Sequence, residues 1–274
     1  MERRNGGCNP RLVIGLIVAV ISVIGYFSSS SKNAVTGETQ HVSMSPDQEI
    51  ALGLQATPQM VDQYGGQEKN TAAAERVQAI GAKVVRNSDA SQTPYEFDFH
   101  LLSDRQTINA FALPGGQIFI TRALLDRLTT DGQLAGVLGH EVGHVCARHG
   151  AEHMAKAQLT QGLTGAAVIA TYDPNNPSSR NTAAIAAMVG QLVNLKYGRE
   201  DELESDDLGV RFMSQAGYDP RSMIEVMKIL KQASGNGRQP EFFSTHPNPD
   251  NRIEKIQAAI QKRFPTGVPT NLTP

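Results

Sequence analysis

The sequence predicts a mainly helical α+β fold, and three observations carry that prediction. Apolar side chains return at helical spacing through most of the chain, as in residues 71–87, where positions 77, 80, 84 and 85 form one stripe. The stretch "YEFDFHLL" (95–102) instead alternates, as a half-buried strand does. Pro114, Gly115 and Gly116 then separate two β-rich runs, the pattern of a hairpin turn. With 40% hydrophobic and 19% charged residues among 274, the composition is that of a folded domain and not of a disordered chain.

Taken in order, the elements begin with an apolar run. Arg3, Arg4 and Arg11 precede Leu12–Phe27, sixteen residues without a charge. At about 1.5 Å per residue the run reaches roughly 24 Å, slightly under a ~30 Å hydrocarbon core. An uncleaved signal-anchor is favoured over a removed signal peptide, and the arginines place everything from Ser28 onward on the outer side. Ser45 as N-cap, Pro46 at the first helical position, and Gln48 and Glu49 in the first turn start a helix. After the predicted strand and hairpin, Asp131 caps a helix expected to run through "VLGHEVGHVCARH" (137–149) to about Lys156. The Ala/Gly-rich segments 158–172 and 183–197 read as packed covering helices in preference to membrane-dipping ones, and "DPNNPSSRN" between them as a loop. Further helices are expected at 198–216, 219–234 and 250–264, with a loop at 234–249. The domain organisation that follows is an anchor and linker over 1–31, one domain over 32–264 and a flexible tail over 265–274.

Charge and cysteine content narrow the function. Twenty-five basic against twenty-seven acidic side chains give no basic surface for nucleic acid. Cys8 and Cys146 lie on opposite sides of the apolar run, so no disulfide is expected between them.

The chemistry is concentrated in "HEVGH". On a helix His140 and His144 lie only about 40° apart, so their rings can meet one ion, while Glu141 stands about 100° round on the flank. That is the sense of HExxH: two zinc ligands and a general base on one helix. His149 and His153 have the same spacing but fall on the opposite face, and are expected to face solvent. Gly143, costly inside a helix, fits a place where a side chain would crowd the metal or a neighbouring strand. A third ligand must come from elsewhere, and "YGREDELESDDLG" (197–209) is the acidic candidate. Glu202 and Asp206 are four apart, which lets Glu202 bind the ion while Asp206 accepts the spare N–H of a ligand histidine. Glu200 and Glu204 share that spacing, so geometry prefers Glu202 without settling the choice.

HEVGH followed by E-L-E-S-D, with "NAFALPGG" before and "STHPNPDNR" after, closely resembles metallopeptidase family 48, the membrane-associated zinc endopeptidases, over about residues 40–262. Ser205 stands where the family pattern usually has alanine. The resemblance implies a zincin-type (gluzincin) fold with a small sheet and hairpin beside the active-site helix. It implies one Zn2+ per chain held by His140, His144 and Glu202, with Glu141 as catalytic base and Asp206 orienting a ligand histidine. Asn109, Ala110, Phe111 and Ala112 look like the family's edge strand, which would pair with an extended substrate. His246 and Arg252, in H-P-x-x-x-x-R, look like its late motif near the metal cleft. A donor there would steady the oxyanion, whereas in some members the histidine loop covers the metal and restrains activity.

The expected function is therefore membrane-anchored zinc-dependent peptide-bond hydrolysis. Its polypeptide substrates would be unfolded or misassembled envelope proteins, in the periplasm or an equivalent outer compartment. The enzyme would be soluble there if the N-terminal segment is cleaved. No docking through a helical repeat region, such as some periplasmic members append, is expected. A catalytically silent zinc-containing chaperone is the alternative, against which Glu141 argues. A prenyl-protein processing enzyme is a weaker one, since those relatives carry many spanning helices.

Overall fold

The structure, a computed structural model, describes residues 9–69, 71–171, 197–236, 240–247 and 251–274. The chain forms two compact units. In the first, helix α1 (Pro10–Ser28) starts with Pro at its first position and Asn9 as cap, whose Oδ1 accepts from the Arg11 N–H at 3.1 Å. It is the one helix among the described residues long and apolar enough to cross a membrane. Leu12, Ile14, Leu16, Ile17, Ile21, Ile24 and Phe27 all lie exposed along it. A ribbon of β1 (Ser30–Lys32) and β2 (Thr39–His41) follows, antiparallel, with the His41 ring stacked on Tyr26 at 4.4 Å.

The second unit carries the core. Helix α2 (Pro46–Gln63) opens on a reciprocal cap, in which Ser45 Oγ accepts from the Gln48 N–H and Gln48 Oε1 accepts from the Ser45 N–H. Helix α3 (Ala72–Arg86) turns Val77, Ile80 and Val84 inward, the stripe its sequence spacing predicts. Strand β3 (Asp98–Leu102) runs parallel to β5 (Gln117–Thr121), and β4 (Ala110–Ala112) pairs antiparallel with β5. The order β3-β5-β4 leaves β4 on the edge and β5 wholly buried in the middle. The expected hairpin is present: Gly115 and Gly116 take φ of 84° and 108°, values that suit glycine, and the Leu113 N–H donates to the Gln117 carbonyl at 2.8 Å.

After the short helix α4 (Arg122–Leu125) comes α5 (Asp131–Cys146), buried along almost its whole length. Thr130, not Asp131, is its N-cap, since the Thr130 Oγ1 accepts from the Gln133 N–H. Three helices complete the unit on this side: α7 (Arg199–Gln215), which packs chiefly on α5, α8 (Ser222–Ala233) and α10 (Arg252–Arg263). Leu138, Val142, Phe212, Met223, Leu230 and Ile256 meet in one apolar cluster, each contributing about 1.5–3 kcal/mol by burial.

Two further expectations are corrected. The helix from residue 131 does not continue to Lys156: it ends at Cys146, Arg148 takes a left-handed φ of 59°, and a new helix α6 (His149–Thr171) begins. Glu49, buried on α2, holds that break by accepting from Arg148 Nε at 2.8 Å, while Arg148 Nη2 donates to the Met44 carbonyl at 2.7 Å. The Thr273 N–H donates to the Gly217 carbonyl at 3.0 Å, and the Pro274 carbonyl accepts from the Gly132 N–H at 2.9 Å. Gly143 answers neither to a metal nor to a strand: a Cβ there would meet the α7 backbone at Ser205, 3.1 Å from its carbonyl oxygen. The segment 183–197, expected as a covering helix, lies outside the described residues up to 196. Of the two cysteines, Cys146 is buried with a free thiol and Cys8 lies outside them.

Because Gly143 sits against backbone, a branched side chain there must push α5 and α7 apart. Gly143→Val is expected to cost about 1–3 kcal/mol, read as a lower melting temperature of the detergent-solubilised chain.

Candidate metal centre

Two helices build the centre, and small residues let them do it. At their crossing stand Gly139 and Gly143 on α5 and Ser205 and Gly209 on α7; a Cβ on Gly209 would come within 3.1 Å of the His140 nitrogen. This approach brings one turn of α5, bearing His140 and His144, against one turn of α7, bearing Glu202 and Asp206.

Four side chains converge, and all are buried: His140, His144, Glu202 and His246. His140 Nε2 is 3.0 Å from His144 Nε2 and 3.5 Å from Glu202 Oε2, and His144 Nε2 is 3.4 Å from Glu202 Oε1. His246 Nδ1 adds a fourth corner, 2.9 Å from Glu202 Oε1 and 3.5 Å from His140 Nε2. Zinc bonds of about 2.0–2.2 Å at tetrahedral angles set their donors roughly 3.3–3.5 Å apart, so the spacing and the N/O donor set fit zinc.

The surroundings fit a divalent cation as well. Glu141, Glu202 and Asp206 are buried carboxylates with one buried guanidinium, Arg252, among them. Their excess of negative charge favours a cation among them, because unpaired buried charge is costly. Arg252 Nε and Nη2 donate to the two Asp206 oxygens at 2.6 and 2.8 Å, and its Nη1 lies 3.1 Å from Glu202 Oε2. Arg252 thus grips two of the carboxylates behind the donor set. Asp206 Oδ1 in turn faces His140 Nδ1 at 2.9 Å, on the side away from the other donors.

Electrostatics follow from this packing. Burial alone would strip His140 of its proton, yet Asp206 and Glu202 prevail and hold it up at about 9. Burial also opposes ionisation of Glu202, but the neighbouring His246, His140 and His144 bring it well below the carboxylate range. For Asp206 burial is likewise outweighed, here by Arg252. His144 goes the other way, since burial lowers it. Glu141 is raised by burial against the pull of His246 and His140. Neither of its oxygens has a hydrogen-bond partner among the described residues, and Oε1 stands 3.6 Å from His246 Nε2. A buried carboxylate left open beside a donor cluster is placed to handle a proton.

The remaining expected residues divide. Ala110, Phe111 and Ala112 form strand β4 on the edge of the sheet, the segment that the family resemblance singles out. Asn109 precedes it and is buried, its Nδ2 donating to Tyr64 Oη and Glu241 Oε1 at 3.3 Å each, so its side chain is committed inside. The short helix α9 (Phe242–Thr245) that leads into His246 is tied to the same place, through the Phe242 N–H to the Ile108 carbonyl at 3.1 Å. His149 contradicts its expectation of facing solvent: it is 1% exposed and its Nδ1 lies 2.9 Å from His144 Nδ1. The helix break at Arg148 is the cause, since it turns His149 back toward the residue five before it. His153 is half-buried. Tyr197, which carried no signal in the sequence, stacks its ring on His144 at 4.0 Å.

A buried His/His/Glu donor set with a carboxylate beside it, on crossing helices backed by a small mixed sheet, is an arrangement suited to a metallopeptidase. The model of Peptidase family M48 matches residues 71–260, and the chain belongs to that family. Among curated relatives, the chain is 30% identical over 220 residues to the Beta-barrel assembly-enhancing protease of Escherichia coli (strain K12), covering 74% of this chain and 43% of that one. It is 29% identical to the Yersinia pestis protein of the same name over 93% of this chain and 53% of that one. It is 28% identical to the Mitochondrial metalloendopeptidase OMA1 of Schizosaccharomyces pombe over 91% and 73%. The chain thus spans about half the length of the bacterial relatives.

Arg252→Ala removes the one buried guanidinium from among three carboxylates. The expected loss is about 3–5 kcal/mol, the cost of breaking a buried pair, measured by denaturant unfolding of the metal-free protein.

Proposed function

We propose that the chain is a zinc-dependent endopeptidase, anchored at the membrane through residues 12–27, that hydrolyses peptide bonds of unfolded or misassembled envelope proteins. One observation carries the enzymatic part: His140, His144 and Glu202 present three donors at zinc spacing, and Glu141 lies beside them with both oxygens free of hydrogen bonds among the described residues. His140, His144 and Glu202 hold the ion, with Asp206 and Arg252 fixing two of them from behind. When bound, zinc supplies Lewis acidity, acidifying water and polarising a carbonyl. Glu141 receives the proton of the attacking water and returns it to the leaving nitrogen. Edge strand β4 offers the main-chain groups of its outer side to an extended substrate.

The anchoring part rests on α1, with its exposed apolar length, and an outer-side catalytic unit is the reading supported by Arg3, Arg4 and Arg11 at its N-terminal end. The substrate class rests on the bacterial relatives, whose printed name describes a protease that enhances β-barrel assembly. A catalytically silent zinc chaperone would have no use for Glu141 where it stands.

His246 has two readings, and its position favours one. A catalytic zinc keeps an open corner, and His246 Nδ1 stands in the corner left by the other three donors. We read it as a gate that must withdraw, in preference to an oxyanion donor.

Glu141→Gln is expected to retain stoichiometric zinc and lose casein hydrolysis, whereas His140→Ala loses the zinc. Full casein cleavage by the purified Glu141→Gln protein, or cleavage by the wild type undiminished in chelator, refutes the enzymatic reading. His246→Ala is expected to raise the casein turnover rate; a fall with zinc still bound assigns His246 to the oxyanion instead.

A further inference from the structure

We infer that His149 and Glu204 form a two-link relay that fixes the tautomer and aim of His144, making them positioning residues of the metal site. The inference rests on the reading of His140, His144 and Glu202 as ligands.

The geometry assigns a direction to every link. His144 Nε2 faces the other donors, with His140 Nε2 at 3.0 Å and Glu202 Oε1 at 3.4 Å. A ring that gives its Nε2 lone pair to a cation carries its hydrogen on Nδ1. His144 Nδ1 faces His149 Nδ1 at 2.9 Å, so this hydrogen has one acceptor, and His149 must present a lone pair there. The hydrogen of His149 is then on Nε2, which lies 3.0 Å from Glu204 Oε2. The chain of donors runs from His144 to His149 to the Glu204 carboxylate, with no link able to reverse while the ion is held.

The two ligand histidines are thus supported differently. His140 reaches the carboxylate of Asp206 directly, at 2.9 Å, and His144 reaches one only through a second imidazole. Helix α7 supplies both carboxylates as well as Glu202, one turn of helix setting all three. Such outer hydrogen bonds orient a ligand imidazole and raise its basicity, and losing one costs about 10–100-fold in metal affinity.

The fold makes the relay by an unusual local device. On an uninterrupted helix, residues five apart point about 140° away from each other and cannot touch. The left-handed turn at Arg148, clamped by Glu49, folds His149 back under His144. His149 is 1% exposed, so water does not compete for its nitrogens.

The test uses the full chain in detergent, with zinc affinity measured by chelator competition. His149→Phe keeps a ring but offers no acceptor, and should weaken zinc about 10–100-fold. His149→Asn restores an acceptor near the Nδ1 position and should recover most of that loss. Glu204→Lys puts a donor against His149 Nε2 and should weaken zinc as the Phe variant does. In the zinc-loaded wild type, 15N-resolved histidine NMR should find the His149 hydrogen on Nε2. Zinc affinity in folded His149→Phe within about threefold of wild type, equal loss in the Phe and Asn variants, or a His149 hydrogen on Nδ1 overturns the relay. If the Phe variant does not fold, the wild-type tautomer decides. His144→Ala is the control for the ligand reading: wild-type affinity there overturns the site itself and not only the relay.

Discussion

The close crossing of α5 and α7 is the constraint on which the rest depends. Gly143 against the Ser205 backbone and Gly209 against His140 leave no room for side chains between the helices. The side chains flanking that contact are therefore forced into a common volume, and in this chain they are ionisable. Burying carboxylates costs several kcal/mol each unless they are paired and hydrogen-bonded. The structure meets that cost by stacking compensation in layers, with Arg252 on Asp206 and Glu202, Asp206 on His140, and the histidines on Glu202. The same surplus of negative charge that raises His140 to about 9 is what a divalent ion would neutralise. Packing geometry and metal preference are two consequences of one helix contact.

The edge of the small sheet is joined to this centre through a second polar cluster. Tyr64 at the end of α2 donates to Glu241 at 2.6 Å, Asn109 donates to both, and the Phe242 N–H is held by Ile108. The Phe242 ring stacks on His246 at 4.5 Å. The residue in the fourth corner and the strand proposed to receive substrate are therefore held by contiguous bonds, so that displacement of α9 would alter both at once.

Much of this was legible in the sequence because it depends on local chemistry. Ser45 with Gln48, the apolar stripe on α3, the Pro114–Gly116 turn and the i, i+4 pairs 140/144 and 202/206 each act within one element, where period and residue type are sufficient. What was not legible arises between elements. The segment "CARHG" has an arginine at its break, with no Gly or Pro at that position to announce it, because the left-handed Arg148 is held by Glu49 from 99 residues away. That break, and not the helical period, decides which way His149 faces. The partners of Pro274 and Thr273, Gly132 and Gly217, are likewise distant backbone groups that carry no signal in the tail itself. Arg252 was found by resemblance, but its role depends on which carboxylate it meets, and only the packing of α10 on α7 decides that.

The Glu49–Arg148 clamp gives these misses a common physical meaning. A non-glycine residue in the left-handed region costs roughly 1–2 kcal/mol, so something must over-determine it. Here a buried carboxylate on α2 and a main-chain carbonyl at Met44 both accept from one guanidinium. Burial raises the Glu49 pKa even against Arg148 and Tyr95, the mark of a carboxylate held in place at some expense to its own solvation. The reward for that expense lies elsewhere. Only with α5 stopped at Cys146 does His149 come under His144, and only then does the outer nitrogen of a proposed ligand gain a buried partner. The orientation of an imidazole at the centre is thus set in part by an ion pair on a helix that contributes no donor to it.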